Sequence, residues 1–217
     1  MRKLKLGLYF LSLIAGTSSA FAFGHDQGNG GNIVECNDQR LFSFSLDYVL
    51  VRDDLRSKMV VASVPTSTAS LNRISKILRE KAPQLGDSFS TFIRSISNTE
   101  NKSLPYIWEK GIYWSFPEVD DQDFNHLPAL CPGVVEIYQA IYRTQANDKI
   151  VFFYDRDLIA RLPPVQMSFL YVHEWLWNFS KDVKKNRYVN YLLHSTEIEN
   201  MSAKDVIKNL KNYDIIK

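Results

Sequence analysis

Between Pro163 and Phe179 lies the stretch that most restricts how this chain can fold. Val165, Phe169, Val172, Leu176 and Phe179 recur at spacings of four and three, a helical stripe. Met167, Leu170, Tyr171, Trp175 and Trp177 occupy much of the remaining circumference. A helix apolar nearly all round belongs in the middle of a domain. Pro163-Pro164 suit its first turn, where a missing N–H removes no intrahelical bond. Within this apolar surface stand His173 and Glu174. A carboxylate buried without a partner costs several kcal/mol, so Glu174 needs one. Adjacent helix positions point about 100° apart, so the two side chains serve different partners. Two readings follow. One is a buried polar pair tying this helix to a neighbouring hairpin or to the helix that carries His194. The other is a metal or acid–base site.

The rest of the 217-residue chain is that of an ordinary globular protein, 45% hydrophobic and 23% charged, which excludes disordered and collagen-like classes. Phe42 to Leu50 alternate apolar and polar residues, the pattern of a half-buried strand. Thr66 to Lys81 read as a helix closed by Pro83, and Asp87 as the cap of a second helix through Asn98. Gly111 to Phe116 alternate again, as a short strand. Val134–Tyr142 and Lys149–Tyr154 are β-rich runs joined through Asn147-Asp148, a hairpin signature. Asp155 caps a short helix to Arg161; further helices run over Arg187–His194 and from Ser202, whose capping-box partner is Asp205. Asp121, Asp123 and Asn125 copy half of a calcium loop, but His126 and Pro132 stand where its Gly and Glu belong, so a solvated acidic loop is the expectation. No Gly-x-Ser-x-Gly elbow marks a serine hydrolase.

The first 22 residues read as a signal peptide: Arg2, Lys3 and Lys5, an apolar run from Leu6 to Ala15, then Ala20-Phe21-Ala22. Residues 23–35 then form a flexible Gly-rich amino terminus, and residues 36–217 a single globular domain. The 26 basic residues, less the three of the leader, stand against 24 acidic ones, a net charge of −1. Bulk charge therefore gives no drive toward nucleic acid. No second apolar run reaches membrane-spanning length. The expected location is outside the cytoplasm, periplasmic or secreted. Two cysteines remain, Cys36 and Cys131, and an oxidising compartment favours their pairing over a reactive thiol. The bridge would close a loop of about 95 residues, worth up to roughly 4–5 kcal/mol in the chain-entropy model.

The segment Leu162-Pro-Pro-Val-Gln-Met-Ser-Phe-Leu-Tyr-Val-His-Glu-Trp-Leu-Trp-Asn-Phe resembles the active-site helix of zincin metallopeptidases, which carries His-Glu-x-x-His. The resemblance implies that His173 is the first zinc ligand and Glu174 the general base that activates a zinc-bound water. The second ligand position holds Trp177, which cannot bind zinc. The third ligand of thermolysin-like members falls on Glu197, and His194 is the only other downstream histidine, so the implied metal set is His173, His194 and Glu197. More loosely, Gly28-Asn-Gly-Gly and Cys36 resemble the start of a group of exported bacterial proteins, which implies export and bacterial origin but no activity.

Taken together, the expectation is an α+β single domain with a zincin-like core, a small antiparallel sheet packed on helices. Its expected role is that of a degenerate metallopeptidase-like structural or binding module with no cofactor and an unspecified partner. The alternative is an active zinc-dependent hydrolase using His173 and Glu174. An exported binding protein with no relation to zincins, its His-Glu pair purely structural, is the third reading. For the bridge, exported protein denatured without reductant should show no free thiol; titration of two thiols per chain would refute the pairing.

Overall fold

The computed structural model describes residues 31–37, 42–55, 60–111 and 134–217. Among them are eight helices and two three-stranded sheets, forming one compact α+β body. The first sheet has β1 (Asn32–Asn37) in its centre, with β2 (Phe42–Ser45) and β4 (Val134–Gln139) antiparallel on either side. The second has β6 (Lys149–Tyr154) in its centre, antiparallel to β5 (Ile141–Ala146) and parallel to β3 (Tyr106–Lys110). The β5–β6 hairpin turns through Asn147 and Asp148, with φ of 49° and 62°. Two successive positive φ angles match the twist of a two-residue hairpin, and Asn and Asp tolerate them best among residues with a side chain.

Several boundaries differ from the sequence expectation. The alternation from Phe42 stops being a strand at Ser45, and Leu46–Leu55 is helix α1. Leu46, Val49 and Leu50 are all buried, a spacing of three and four that the same residues offer as well as they offer alternation. Packing of α1 against the central helix decides between the two. Helix α2 (Ser67–Lys81) begins where expected, with Thr66 Oγ1 accepting from Ala69 N at 3.0 Å. Helix α3 (Pro83–Ser97) starts four residues before Asp87, because Pro83 opens it at N1 as well as ending α2. The expected single sheet is two, and one of its pairs is parallel. The run Val134–Tyr142 is split at Ala140, whose N–H donates to Gly31 O at 2.9 Å and whose carbonyl accepts from Asp155 N at 2.8 Å. The expected strand at Gly111–Phe116 and the acidic loop lie, apart from Gly111, outside the described residues.

Helix α4 (Arg156–Ile159) is capped by Asp155, as expected, and ends two residues short of Arg161. Then comes the central helix, α5 (Pro164–Leu176), with Pro at its first turn. It packs against α2, α1 and α6 (Val183–His194). Its end comes three residues before Phe179, and α6 begins four residues before Arg187, capped by Asp182, whose side chain accepts from Lys185 N at 3.0 Å. Helix α7 (Glu197–Asn200) and α8 (Ala203–Asn212) complete the chain, with Ser202 and Asp205 forming the expected cap of α8. Trp175, Phe169, Leu170 and Leu176 on α5 are all within 1% of full burial. On its other side the core continues into an aromatic cluster, in which Trp108 and Phe152 stack at 4.4 Å and Phe89 meets Trp175 edge-on at 4.7 Å. No helix of the described residues is long and apolar enough to cross a membrane.

The amino-terminal Gly-rich segment needs a correction. Residues 32–35 belong to the middle strand of a sheet, and Gly31 is buried. Its carbonyl accepts from both Ala140 N and Ile141 N, at the point where the chain passes from β4 to β5. An ideal Cβ on Gly31 would stand 2.4 Å from Leu170 Cδ1 and 2.9 Å from Leu170 Cγ. Gly31 is therefore glycine because its backbone lies directly on α5. Gly31→Ala should destabilise the protein by roughly 1–3 kcal/mol, as overpacking against the fully packed Leu170 does. A loss below about 0.5 kcal/mol in denaturant melts, the scale of an ordinary surface change, would show that the contact yields freely.

Candidate functional site

Helix α5 sends its two central ionisable side chains in different directions. His173 faces α1 and α6, and Glu174 faces the start of β1 and the hairpin. The two side chains are thus turned toward different elements. His173 Nδ1 lies 2.8 Å from Asp47 Oδ2, and Trp177 Nε1 lies 2.7 Å from His173 Nε2. An indole N–H can only donate, so Nε2 must present its lone pair. The proton of His173 is therefore on Nδ1, donated to Asp47, and the ring is neutral. That assignment comes from the partners, as it must for any histidine.

Asp47 sits in the first turn of α1, where a negative charge is favoured by the helix dipole. It is 5% exposed. Besides His173 it accepts from Asn190 Nδ2 at 3.1 Å, and Arg187 Nε stands 3.5 Å from Oδ1, a charge pairing without hydrogen-bond geometry. Burial alone would raise its pKa. His173, then Arg187 and Asn190, outweigh burial and hold it at about 2. Asp47 and Arg187 thus form a buried, oppositely charged pair from two helices, with the neutral His173 ring on the carboxylate.

The second histidine is equally enclosed. His194 Nδ1 is 2.8 Å from Asn190 O, which can only accept, so the proton sits on Nδ1 and Nε2 accepts from Ser168 Oγ at 2.7 Å. Ser168 Oγ also lies 2.8 Å from Ser70 Oγ and 2.7 Å from Val165 O. The ring stacks on Phe169 at 3.9 Å. Burial is the main cause that pushes its pKa from 6.5 down to about 3; the Asn190 carbonyl opposes this and Arg73 adds to it. Ser168 and His194 make a serine–histidine contact, but both are within 1% of full burial and Nδ1 rests on a main-chain carbonyl in place of an acid. That geometry stabilises a core and gives no substrate a path to the hydroxyl.

Glu174 is fully buried. Its carboxylate is close to Gly31, where an ideal Cβ would lie 3.2 Å from Oε1, and its main-chain carbonyl accepts from Arg143 Nη1 at 3.3 Å. Arg143 also donates through Nη2 to Asn178 Oδ1 at 2.8 Å, which ties β5 to the end of α5. Glu197 opens α7, exposed, and accepts from Tyr191 OH at 3.4 Å. The three residues implied as metal ligands, His173, His194 and Glu197, are thus not gathered. Among the described residues no group of three or more His, Cys, Asp or Glu side chains could hold a metal ion. Cys36 is buried on β1 and is not a free thiol; Cys131 lies outside the described residues.

Sequence reasoning passed over Asp47, Arg187, Asn190 and Ser168. One signal was present: Asp47 interrupts an apolar run, and Arg187, Asn190 and His194 repeat at three and four along α6. No protein-family model, curated protein or solved structure matches the chain.

Both buried acid–base groups lower the stability as the pH falls, over different ranges. Above about pH 6.5 His194 is neutral folded or unfolded; below it the unfolded state binds the proton first, and stability falls by roughly 1.4 kcal/mol per pH unit until about pH 3. Asp47, depressed from 3.8 to about 2, contributes about 2 kcal/mol above pH 3.8, lost as the pH falls through about 2. The ring protons of His194 should therefore not titrate by NMR between about pH 7 and 4, where a solvated imidazole would. A midpoint close to the ordinary value of 6.5 would overturn the assignment.

Proposed function

We propose that this is an exported protein that acts outside the cytoplasm as a structural or binding module, built around a zincin-like helix that no longer performs zinc hydrolysis. The observation that carries the reading is the 2.7 Å contact of Trp177 Nε1 with His173 Nε2. In a zincin-like helix that lone pair would hold the metal, and the side chain one turn on would supply the second imidazole. Here the residue at that position donates its N–H to the lone pair. Glu174 is buried against Gly31 and β5, so its role in this reading is to join the helix to the sheets. Export and a Cys36–Cys131 bridge belong to the same proposal, on the strength of the leader and the cysteine count.

A second reading has one observation in its favour. Asp47 behind His173 Nδ1 is the carboxylate–histidine arrangement that orients zinc-bound imidazoles. It keeps the metal-dependent hydrolase using His173 and Glu174 as the rival. Elemental analysis of the mature protein, purified without chelator, separates the two. The structural reading expects far less than one zinc per chain and a Glu174→Gln protein that is altered only in stability. Near one zinc per chain, lost in His173→Ala, would overturn it in favour of the hydrolase. The export part is tested separately by sequencing the mature amino terminus, expected to begin at Phe23; a chain recovered uncleaved from the cytoplasm would refute it.

A further inference from the structure

Helix α7 has only four residues, too few for a stable helix by itself, and its last carbonyls have no donor within it. Three carbonyls at its end converge on one group. Lys81, the last residue of α2, donates through Nζ to Ile198 O at 2.8 Å, Glu199 O at 2.6 Å and Met201 O at 2.7 Å. An ammonium has three N–H donors and no acceptor, so the three carbonyls saturate it. Two turns earlier on α2, Arg73 completes the same attachment, with Leu193 O at 3.1 Å, Ser195 O at 2.6 Å and Glu199 Oε1 at 2.7 Å. Main-chain carbonyls with one partner each, spaced around a point, define a receptor for a primary ammonium group rather than a single hydrogen bond.

We propose that the carbonyls of Ile198, Glu199 and Met201 form a binding site for a primary ammonium ion, filled within the chain by Lys81, and that this occupancy holds α7 against α2. The site discriminates by hydrogen bonding as well as charge. Charge-assisted hydrogen bonds to oxygen require N–H, which a quaternary ammonium lacks. Lys81→Ala removes the atoms from Cγ to Nζ, the skeleton of n-propylammonium, so the emptied site should accept that ion from solution.

The test is thermal melting of Lys81→Ala in n-propylammonium chloride, in tetramethylammonium chloride and in sodium chloride at equal ionic strength. The variant should melt roughly 4–8 °C below the wild type, the scale expected when a charge-assisted clamp is lost from a chain of this length. n-Propylammonium should restore at least half of the loss, saturably. Tetramethylammonium and sodium should not, and none of the three should act in this way on the wild type. Equal responses to propylammonium and tetramethylammonium, or equal responses of variant and wild type, would overturn the proposal. Should the variant fail to fold, the wild-type protein answers by limited acetylation read by mass spectrometry. Lys81 should react at least about tenfold more slowly than Lys76, which is 78% exposed and 3.9 Å from Glu80. Reaction at the same rate would show that the ammonium is not held.

Discussion

The carboxylate of Asp47 joins three helices in a region closed to water, and the arrangement around α5 depends on how it is satisfied. Its partners come from α5 through His173 and from α6 through Asn190 and Arg187. Asn190 Nδ2 also donates to Phe169 O at 2.8 Å, so the residue that holds the carboxylate also holds the backbone of α5. Removing one member of such a cluster leaves a buried charge or donor unmatched, which costs more than the intact cluster contributes. Helix α1, which local sequence pattern would make a strand, is thereby fixed in place and orientation by polar contacts as well as by Leu46, Val49 and Leu50.

Neutrality of both histidines follows from the same enclosure. Each imidazole donates from Nδ1 to an acceptor and accepts at Nε2 from a donor, Trp177 for one and Ser168 for the other. A ring used at both nitrogens and buried to within a few percent is a packing element. This places the chemistry of the centre closer to that of a polar core than to that of an open site. The proposal of a module without zinc hydrolysis rests on that point, and Trp177 is its most particular residue.

The amino-terminal strand contributes the second constraint. Gly31 lies on Leu170 and beside the Glu174 carboxylate, and its carbonyl takes both N–H groups at the β4–β5 junction. Farther along the same strand, Glu35 is buried on β1 and meets Arg161 at 2.7 Å and Ser43 Oγ at 3.1 Å. The two sheets are thus joined to each other and to α5 through a few residues of β1 and the one before it. A glycine there is a requirement of close approach. In the sequence, its neighbours suggested instead a tail.

Local sequence by itself determined the elements whose signals are local. The stripe of α5, the Asn147-Asp148 turn, the caps of α4 and α8, and the burial of His173 and Glu174 all follow from periodicity and side-chain chemistry over a few residues. Their separate directions follow from helix geometry. What the tertiary structure decided has a common physical character: each choice depends on groups far apart in the chain. Phe42–Leu50 satisfies strand and helix spacing alike, and Gln166, whose Oε1 accepts from Ser45 N at 3.0 Å, and Asp47's partners more than 120 residues away settle where strand becomes helix. The division of one β run into β4 and β5 depends on the Gly31 carbonyl. The neutral state of His173 and His194, and the failure of His194 and Glu197 to approach His173, depend on how α5, α6 and α7 pack. Long-range hydrogen bonds and close packing choose among alternatives that local pattern leaves equal, and they chose a closed polar core here.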